Sequence, residues 1–309
     1  MKLAFYNHYG NGDLFESREF VLDWMRLAGV TRADYAHRTL PGLFADLPQL
    51  NSVPVIPEMD MRRGITRPGP DELWVNTWIG RDSQYVVNPG IGCVVEQLYR
   101  MHNDLLLEAY LSPLPRSITE YIPSIDYARL KVGYLRMWID QQRGKRLVLL
   151  CNGPTGSGQA ANFYFGPMFA TTDRSYGGLD HVIPVRENVR YIFTQLEPQR
   201  HELLERGDVF FTDDLTGREP DGWDLNEISY LSRSCDVIVG RCSGAQMFAQ
   251  VLPNWMDSRK TLLCFTHHRN GACFVLNPEA LCLRMKVLWS PADNAKDAAI
   301  VLENVLRTL

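Results

Sequence analysis

A short polar segment near the N-terminus contains the first candidate for acid–base chemistry. In YNHYGNGDLFESREFV, residues 6–21, two glycines and an aspartate stand between a predicted strand and a predicted helix. Glycines let the backbone approach a ligand closely, and Asp13 beside them can accept a proton from a substrate hydroxyl. The alternative is that Asp13 only caps its own loop. Asp13 is therefore the candidate general base. We expect four residues that precede it, His8, Gly10, Asn11 and Gly12, to contact the substrate.

Two further polar segments, each predicted to follow a strand, have the composition of anion sites. NGPTGSGQA at 152–160 follows the apolar run KRLVLLC, and RCSGAQ at 241–246 follows DVIVG. Backbone N–H groups of such turns suit phosphate oxygens, and an arginine adds a charge-assisted contact. Neither segment is a Walker A loop or a GxGxxG motif, so a plain turn remains the alternative. The candidate substrate-binding residues are Asn152, Gly153, Thr155, Gly156, Ser157, Gly158, Arg241, Ser243, Gly244, Ala245 and Gln246.

The cysteines favour buried free thiols over a metal site or a nucleophile. There are seven of them: Cys93, Cys151, Cys235, Cys242, Cys264, Cys273 and Cys282. Cys264, Cys273 and Cys282 lie near a pair of histidines (267 and 268), but no CxxC pair is present, and we predict no metal. Cys242 follows an arginine that would lower a thiol pKa, yet no histidine stands near it in sequence to activate it.

The composition is that of a globular protein without a membrane span. The 309 residues are 45% hydrophobic and 22% charged, with a net charge of −4. No apolar run is long enough to cross a bilayer, and the N-terminus does not resemble a signal peptide, so we expect a cytoplasmic protein. The negative charge disfavours nucleic acid in general, although Arg62, Arg63 and Arg67 form a local basic cluster.

Strands alternate with helices in both halves of the chain, which predicts two open α/β domains. In the first half a strand at 2–8 precedes a helix that starts near Ser17, its expected N-cap, and ends before Gly29. An amphipathic helix is predicted over residues 124–143, and the pattern then resets in QRGKR. We therefore predict the domain boundary at 143–145. Ligands of open parallel sheets bind beyond the carboxyl ends of the strands, where the polar segments lie.

One stretch resembles a known family. DLNEISYLSRSCDVIVGRCSGAQMFAQ, residues 224–250, resembles the donor-binding segment of GT-B glycosyltransferases, closest to the heptosyltransferase-type (family 9-like) group. Ser243 and Gly244 match the family's hydroxyl and glycine, whereas Cys242 stands at its acid position and Met247 at its histidine position. The Gly-Asp pair ending at Asp13 also matches the pair that follows the family's first strand. Glu197 lies where the family often has a ribose-binding acid.

The resemblance implies two Rossmann-like domains facing across a cleft, the GT-B architecture. Residues 1–143 would form the acceptor-side domain and 144–309 the nucleotide-sugar-binding domain, with the last helix (293–308) packing back on the first. The implied reaction is inverting, metal-independent transfer of a hexosyl or heptosyl group, with Asp13 as general base. The co-substrate would be a nucleotide-diphosphate sugar, without a separate cofactor.

The acceptor and two alternative functions stay open. The acceptor could be a glycan, a lipid-linked glycan, a small molecule or modified nucleic acid. The last would suit a phage-type glycosyltransferase that uses the basic cluster Arg62, Arg63 and Arg67. The departures at Cys242 and Met247 favour the other alternative, a non-catalytic nucleotide- or sugar-binding scaffold of the same fold.

Overall fold

The chain folds into two units, each built on its own sheet of mostly parallel strands. The computed structural model describes residues 1–55, 59–82, 94–152, 183–194, 200–217, 224–240, 243–265, 278–290 and 295–309. Among these, residues up to Leu130 form the first unit and residues from Lys131 onward form the second. Two α/β units are therefore confirmed. The contacts place the division before the helix at Gly133–Gln141, whereas the sequence analysis placed it after this helix.

The first unit contains a five-stranded sheet in the order β3-β2-β1-β5-β4. Its strands are β1 Lys2–Asn7, β2 Ala33–His37, β3 Leu50–Val53, β4 Ile65–Thr66 and β5 Glu72–Asn76. Strand β1 lies at the centre and is parallel to β2 and β5, and β3 is parallel to β2. Only β4, a two-residue edge strand, runs antiparallel to its neighbour. Strands β3 and β4 escaped the sequence analysis because both are short and lie in a proline-rich stretch.

The first unit has two described α-helices, α1 Asn11–Leu27 and α2 Val94–Glu108. The predicted start of α1 near Ser17 is wrong, because the helix begins at Asn11 and has Gly10 as its N-cap. Ser17 lies inside the helix and is buried, where its hydroxyl donates to the Leu14 carbonyl at 3.0 Å. The predicted end is right: Gly29 has a φ of +67°, the left-handed conformation that terminates helices.

Buried and half-buried charges hold α1 in place. Arg18 forms an ion pair with Asp46, and both side chains are about 1% exposed. Further along α1, the side chains of Asp23 and Glu19 pair with the guanidinium group of Arg116, at 2.9 Å and 3.3 Å respectively. Charged groups so far from water need partners, since an unpaired buried charge costs several kcal/mol. These pairs therefore fix the rotation of α1, and with it the direction of the residues in its first turn.

The second unit contains a six-stranded sheet, parallel throughout, in the order β11-β10-β9-β6-β7-β8. Its strands are β6 Arg146–Leu150, β7 Val189–Phe193, β8 Val209–Phe211, β9 Val237–Gly240, β10 Thr261–Phe265 and β11 Lys286–Ser290. Five of the six were predicted from short apolar runs; β11 was not. Nearly every residue of β6, β9 and β10 is buried, as expected for central strands covered on both faces.

The described helices of the second unit are α3 Gly133–Gln141, α4 Arg200–Glu205, α5 Thr212–Thr216, α6 Leu225–Ser232, α7 Gly244–Phe248, α8 Leu252–Trp255 and α9 Ala295–Thr308. The single helix predicted over 124–143 is wrong. Asp126 instead caps a 3-10 turn at Tyr127–Arg129, and Leu130 is extended, so that α3 starts afresh at Gly133. A local cap thus interrupts an amphipathic pattern that continues through it.

The last helix contributes to the core of its own unit. Ala298, Leu302, Val305 and Leu306 belong to one buried cluster with residues of β6, β7, β9 and β10. These four residues follow one another at helical spacing and so form one apolar face of the helix. That face therefore packs against the second sheet. Among the described residues, none of the helices has the length and apolar character needed to cross a membrane.

Candidate functional site

The carboxyl ends of β1 and β5 bring the N-terminal polar segment to the edge of the first sheet. In the parallel register Tyr6 lies opposite Asn76, so the chain leaves both strands at the same level. Helix α1 begins four residues after β1 ends, at Asn11. Asp13 lies in the first turn of this helix and not in a loop as predicted. The edge at which ligands of parallel sheets bind therefore carries the predicted base.

Asp13 is partly buried, and its environment adjusts its basicity. Burial raises the pKa of Asp13 to about 6, although hydrogen bonds from the backbone N–H groups of Asp13 and Gly10 act in the opposite direction. Gly10 lies against the carboxylate, since a Cβ atom on residue 10 would be 3.5 Å from Asp13 Oδ2. A carboxylate with this pKa is mostly ionised at neutral pH and is more basic than an exposed one. Both properties suit a general base.

A second carboxyl group, that of Glu16, lies one helical turn further along α1. Burial raises the pKa of Glu16 well above its usual range, and repulsion from Asp13 raises it further. Two nearby carboxyl groups resist ionising together, so Asp13 and Glu16 titrate as a pair. Sequence reasoning missed Glu16 because the segment was interpreted as a loop. The i, i+3 spacing of the two acids would have indicated the pair once a helix was assumed.

A buried hydrogen-bond network links α1 to the first sheet. The Tyr35 hydroxyl lies 2.7 Å from Ser17 Oγ and 2.6 Å from Thr77 Oγ1. Burial raises the pKa of Tyr35, and repulsion from Asp13 contributes, so that Tyr35 remains a neutral phenol. The network joins α1, β2 and the segment after β5. It fixes the helical turn that follows Asp13.

His8 and the residues around it line the same edge. Burial lowers the pKa of His8, and the positive charge of Arg38 lowers it further, so its imidazole is neutral at neutral pH. The His8 Nε2 atom is buried and has no hydrogen-bond partner in the part of the chain that the structure describes. Asn11 and Gly12 lie in the first turn of α1 and are partly buried, whereas Gly10 is exposed. All the first-unit candidates thus lie within one short segment.

An aromatic pair at this edge was not predicted. The rings of Tyr9 and Trp78 stack with centroids 3.7 Å apart and planes 13° from parallel. The side-chain oxygen of Asn7 accepts from the Tyr9 N–H at 3.1 Å, and that of Asn76 accepts from the Trp78 N–H at 3.0 Å. The same turn therefore follows two adjacent strands. The sequence contains a signal for it, since NHY at 7–9 and NTW at 76–78 share an Asn-x-aromatic pattern.

The edge of the second sheet holds the described part of the predicted anion site. Ser243 is the N-cap of α7, and its Oγ accepts from the Gln246 N–H at 3.3 Å. The Gln246 side chain turns inward and donates to Cys264 Sγ at 2.9 Å. The amides of Gly244 and Ala245 stand at the start of α7, where helical geometry leaves N–H groups without intrahelical acceptors.

Asn152 and Gly240 shape this edge from the strands. Asn152 is fully buried, and its Oδ1 accepts from the Thr194 N–H at 3.1 Å, which ties the end of β6 to the end of β7. At Gly240, a Cβ atom would be 3.0 Å from Cys151 Cβ and 3.1 Å from Gln246 Cβ. The glycine therefore lets α7 pack closely over the end of β9.

We expect Gly240→Ala to lower the stability of the second unit by about 1–3 kcal/mol, because the added methyl group overpacks this contact. It should also displace the first turn of α7. Chemical denaturation measures the first effect. Gly133→Ala is the matched control: a Cβ there meets nothing within 4 Å and the φ is not positive, so no loss of stability is expected. A Gly240→Ala variant as stable as the wild type would contradict this account of the packing.

Several predicted residues lie outside the described residues. They are Gly153, Thr155, Gly156, Ser157, Gly158, Glu197, Arg241, Cys242, Cys93, Cys273 and both histidines at 267 and 268. The other cysteines form no disulfide: Cys151, Cys235 and Cys264 are buried as predicted, but Cys282 is exposed. Burial raises the pKa of the Cys151 thiol well above its usual range, so it is no nucleophile. Within the described ranges, no group of three or more His, Cys, Asp or Glu side chains could hold a metal ion.

Comparison with known proteins shows the fold. No protein-family model and no curated sequence matches the chain. Among solved structures, Escherichia coli heptosyltransferase WaaC with ADP aligns with a TM-score of 0.52 and 11% identity over 100% of this chain and 99% of its own. The same enzyme with ADP-2-deoxy-2-fluoro heptose aligns with a TM-score of 0.51 and 10% identity, over 100% of this chain and 99% of its own. The glycosyl transferase family 9 protein from Veillonella parvula aligns with a TM-score of 0.51 and 9% identity, over 99% of this chain and 89% of its own. The chain thus has a heptosyltransferase-like GT-B fold, as the resemblance implied.

Proposed function

We propose that this protein, which shares the GT-B fold of heptosyltransferases, is a glycosyltransferase that moves a sugar from a nucleotide-diphosphate sugar to an acceptor hydroxyl. The observation that carries the proposal is the carboxylate of Asp13 at the carboxyl edge of the first sheet. It has a pKa of about 6, raised by burial, and lies on a helix that buried ion pairs hold in place. Burial that raises the pKa of a carboxyl group in this way is more frequent at functional sites than elsewhere in proteins.

In the proposed reaction, Asp13 accepts the proton of the acceptor hydroxyl. The hydroxyl oxygen forms a bond to the anomeric carbon, and the bond from that carbon to the diphosphate oxygen breaks with both electrons passing to the diphosphate. Attack opposite the leaving group inverts the anomeric configuration. Backbone N–H groups at Gly244 and Ala245, together with Arg241, would stabilise the charge on the leaving diphosphate, and no metal is required.

The proposed division of labour follows the two sheets. The first unit would bind the acceptor through His8, Gly10, Asn11 and Gly12. The second would bind the donor through the Gly-rich segment that follows Asn152, through Glu197 and through the segment that contains Ser243. The buried side chains of Asn152 and Gln246 would act by holding the backbone of these segments and not by direct contact. The acceptor would be a glycan, a lipid-linked glycan or another small hydroxyl compound.

One observation favours a second candidate, a scaffold of the same fold that binds without catalysis. Met247 stands where the family usually has a histidine, and it is 6% exposed. Its sulfur accepts from Gln250 Nε2 at 3.2 Å, so this position is packed into the unit. A donor contact that the family makes with histidine would therefore be absent or made by another residue.

Nucleotide binding tests both candidates. We expect one of ADP, UDP or GDP, or a sugar conjugate of one of them, to raise the melting temperature of the full chain. At 100 times Kd, the stabilisation is about 2.7 kcal/mol, which is easily measured. Slow hydrolysis of the same nucleotide sugar, measured as the amount of free nucleotide that is released, would support catalysis. Binding without hydrolysis or transfer supports the scaffold, and no binding to any nucleotide contradicts both.

A further inference from the structure

We propose that the stacked pair Tyr9–Trp78 is the platform on which the acceptor rests, and that the acceptor is therefore a saccharide whose ring face packs on Tyr9. This inference rests on the proposed function, which leaves the acceptor class open. The pair belongs to the first unit and lies at the carboxyl edge of its sheet.

The platform is rigid because its backbone is held at both ends. Asn7 and Asn76 each accept a hydrogen bond from the residue two positions later, which fixes the direction in which Tyr9 and Trp78 leave their strands. Asn76 also donates to the carbonyls of Met61 and Arg63, at 2.9 and 3.1 Å. A stacking surface that is ordered before the ligand arrives loses little entropy on binding.

The two residues of the pair differ in exposure. A Cβ atom on Gly80 would lie 2.4 Å from Cζ2 of Trp78, so the indole packs against the glycine backbone. Trp78 is half-buried, whereas Tyr9 is 46% exposed although its ring stacks on the indole at 3.7 Å. Tyr9 is therefore the residue of the pair that a ligand can reach.

Tyr9 and the proposed base belong to the same short segment. Tyr9 immediately precedes Gly10, and the position of a Cβ on Gly10 is only 3.5 Å from Asp13 Oδ2. Gly10 is exposed and has no side chain of its own. In the proposed arrangement, a ligand lying on Tyr9 presents its rim to Asp13.

This combination of groups matches a sugar ring. One face of a pyranose consists largely of C–H groups and packs on an aromatic face, while its rim carries hydroxyl donors. The carboxylate of Asp13 accepts hydrogen bonds from hydroxyls and repels phosphates. A nucleic acid base could stack on Tyr9 as well, and Arg62 and Arg63 lie on an exposed loop beyond Asn76. The net charge of −4 and the carboxylate of Asp13 in the same segment as Tyr9 favour the saccharide.

The test uses the full chain and two probes. The labelled protein is applied to an array of defined mono- and oligosaccharides, and separately to a fluorescent single-stranded DNA 15-mer. We expect saccharide binding that Tyr9→Ala weakens by about tenfold or more and that Tyr9→Phe and Tyr9→Trp retain. When the saccharide that binds is used as acceptor, Tyr9→Ala should raise KM by a similar factor and change kcat little.

A matched control and a separate donor assay keep the outcomes distinct. Tyr134→Ala removes another exposed tyrosine ring (59% exposed) from the second unit and should leave saccharide binding unchanged. Binding of the DNA and not of saccharides, with the same dependence on Tyr9, would overturn the saccharide assignment. Saccharide binding unaffected by Tyr9→Ala, or absent in the wild type, would overturn the platform. Neither probe involves the donor, so a failure of nucleotide binding would count against the proposed function and not against the platform.

Discussion

Asp13→Asn is expected to lower kcat by about 10³-fold while leaving nucleotide affinity within about twofold of the wild type. General-base catalysis contributes roughly 10²–10⁴-fold, and an amide cannot accept the acceptor proton. In the wild type, kcat should rise with pH through about 6, because Asp13 acts as a base only when it is ionised and burial raises its pKa to about 6. The variant should lose this rise. Initial rates measured between pH 5 and 8 would show both effects.

The same substitution should stabilise the protein at neutral pH. The pKa of Asp13 is about 6 in the folded chain against an ordinary value of 3.8, so the folded state binds more protons between these values. The free energy of unfolding therefore falls as pH rises from about 4 to 6, and above 6 the buried charge destabilises the fold. Asparagine removes that charge while its oxygen can still accept from Gly10. Allowing for partial exposure, we expect a gain of about 1–2 kcal/mol at pH 7.5.

A suitable control for Asp13→Asn is Asp140→Asn. The Asp140 side chain is 54% exposed in a surface pair with Arg143, so its loss should change neither turnover nor stability measurably. Unchanged kcat in Asp13→Asn would refute the role of Asp13 as base. A lower melting temperature at pH 7.5 would instead show that its carboxylate stabilises the fold.

Asp46→Asn should destabilise the first unit by about 3–5 kcal/mol, because it leaves the Arg18 guanidinium charged and without its counter-ion inside the protein. Both side chains are about 1% exposed, and Asp46 also accepts from the Asp126 N–H at 3.1 Å. Urea denaturation followed by circular dichroism measures the loss.

The double variant Arg18→Met with Asp46→Leu separates charge from packing. Replacing both partners of a buried pair by apolar groups is often neutral or stabilising, so the double variant should recover most of the stability lost by Asp46→Asn. If Asp46→Asn costs no more than Asp140→Asn, the pair does not hold α1. If the double variant is as unstable as the single one, geometry and not charge explains the loss.

The sequence predicts the architecture well because buried parallel strands leave a clear pattern. The stretches LVLLC and VIVG are apolar throughout and are followed in sequence by polar residues, and both lie in or next to a strand. Strand β11, KVLWS, escaped prediction because it begins with a charge and its first four residues are exposed or half-buried. Helix α1 was predicted to start late because Gly10 and Gly12 are typical of loops. Gly10 is nevertheless the N-cap of the helix, and Asp13 Oδ2 would lie 3.5 Å from a Cβ atom on it.

The parts of the site that escaped prediction depend on pairing across the sheet. Tyr9 and Trp78 are distant in sequence, and only the register of β1 against β5 makes them neighbours. Arg18 gives no sign in the sequence that it is buried, because its partner Asp46 lies in a proline-rich stretch without a clear pattern. Each of these contacts is fixed by tertiary structure alone. Asp13, in contrast, was recognisable from its position after the first strand.

The two outer strands of the first sheet also limit how copies of this protein can associate. Strand β3 is four residues long and stands between Pro48 and Pro54, and the two-residue β4 is followed closely by Pro68. Proline cannot donate to a neighbouring strand, so a second molecule finds few backbone groups to which it can add a β-strand. The proline-rich stretch thus protects the sheet that carries the candidate site from edge-to-edge aggregation.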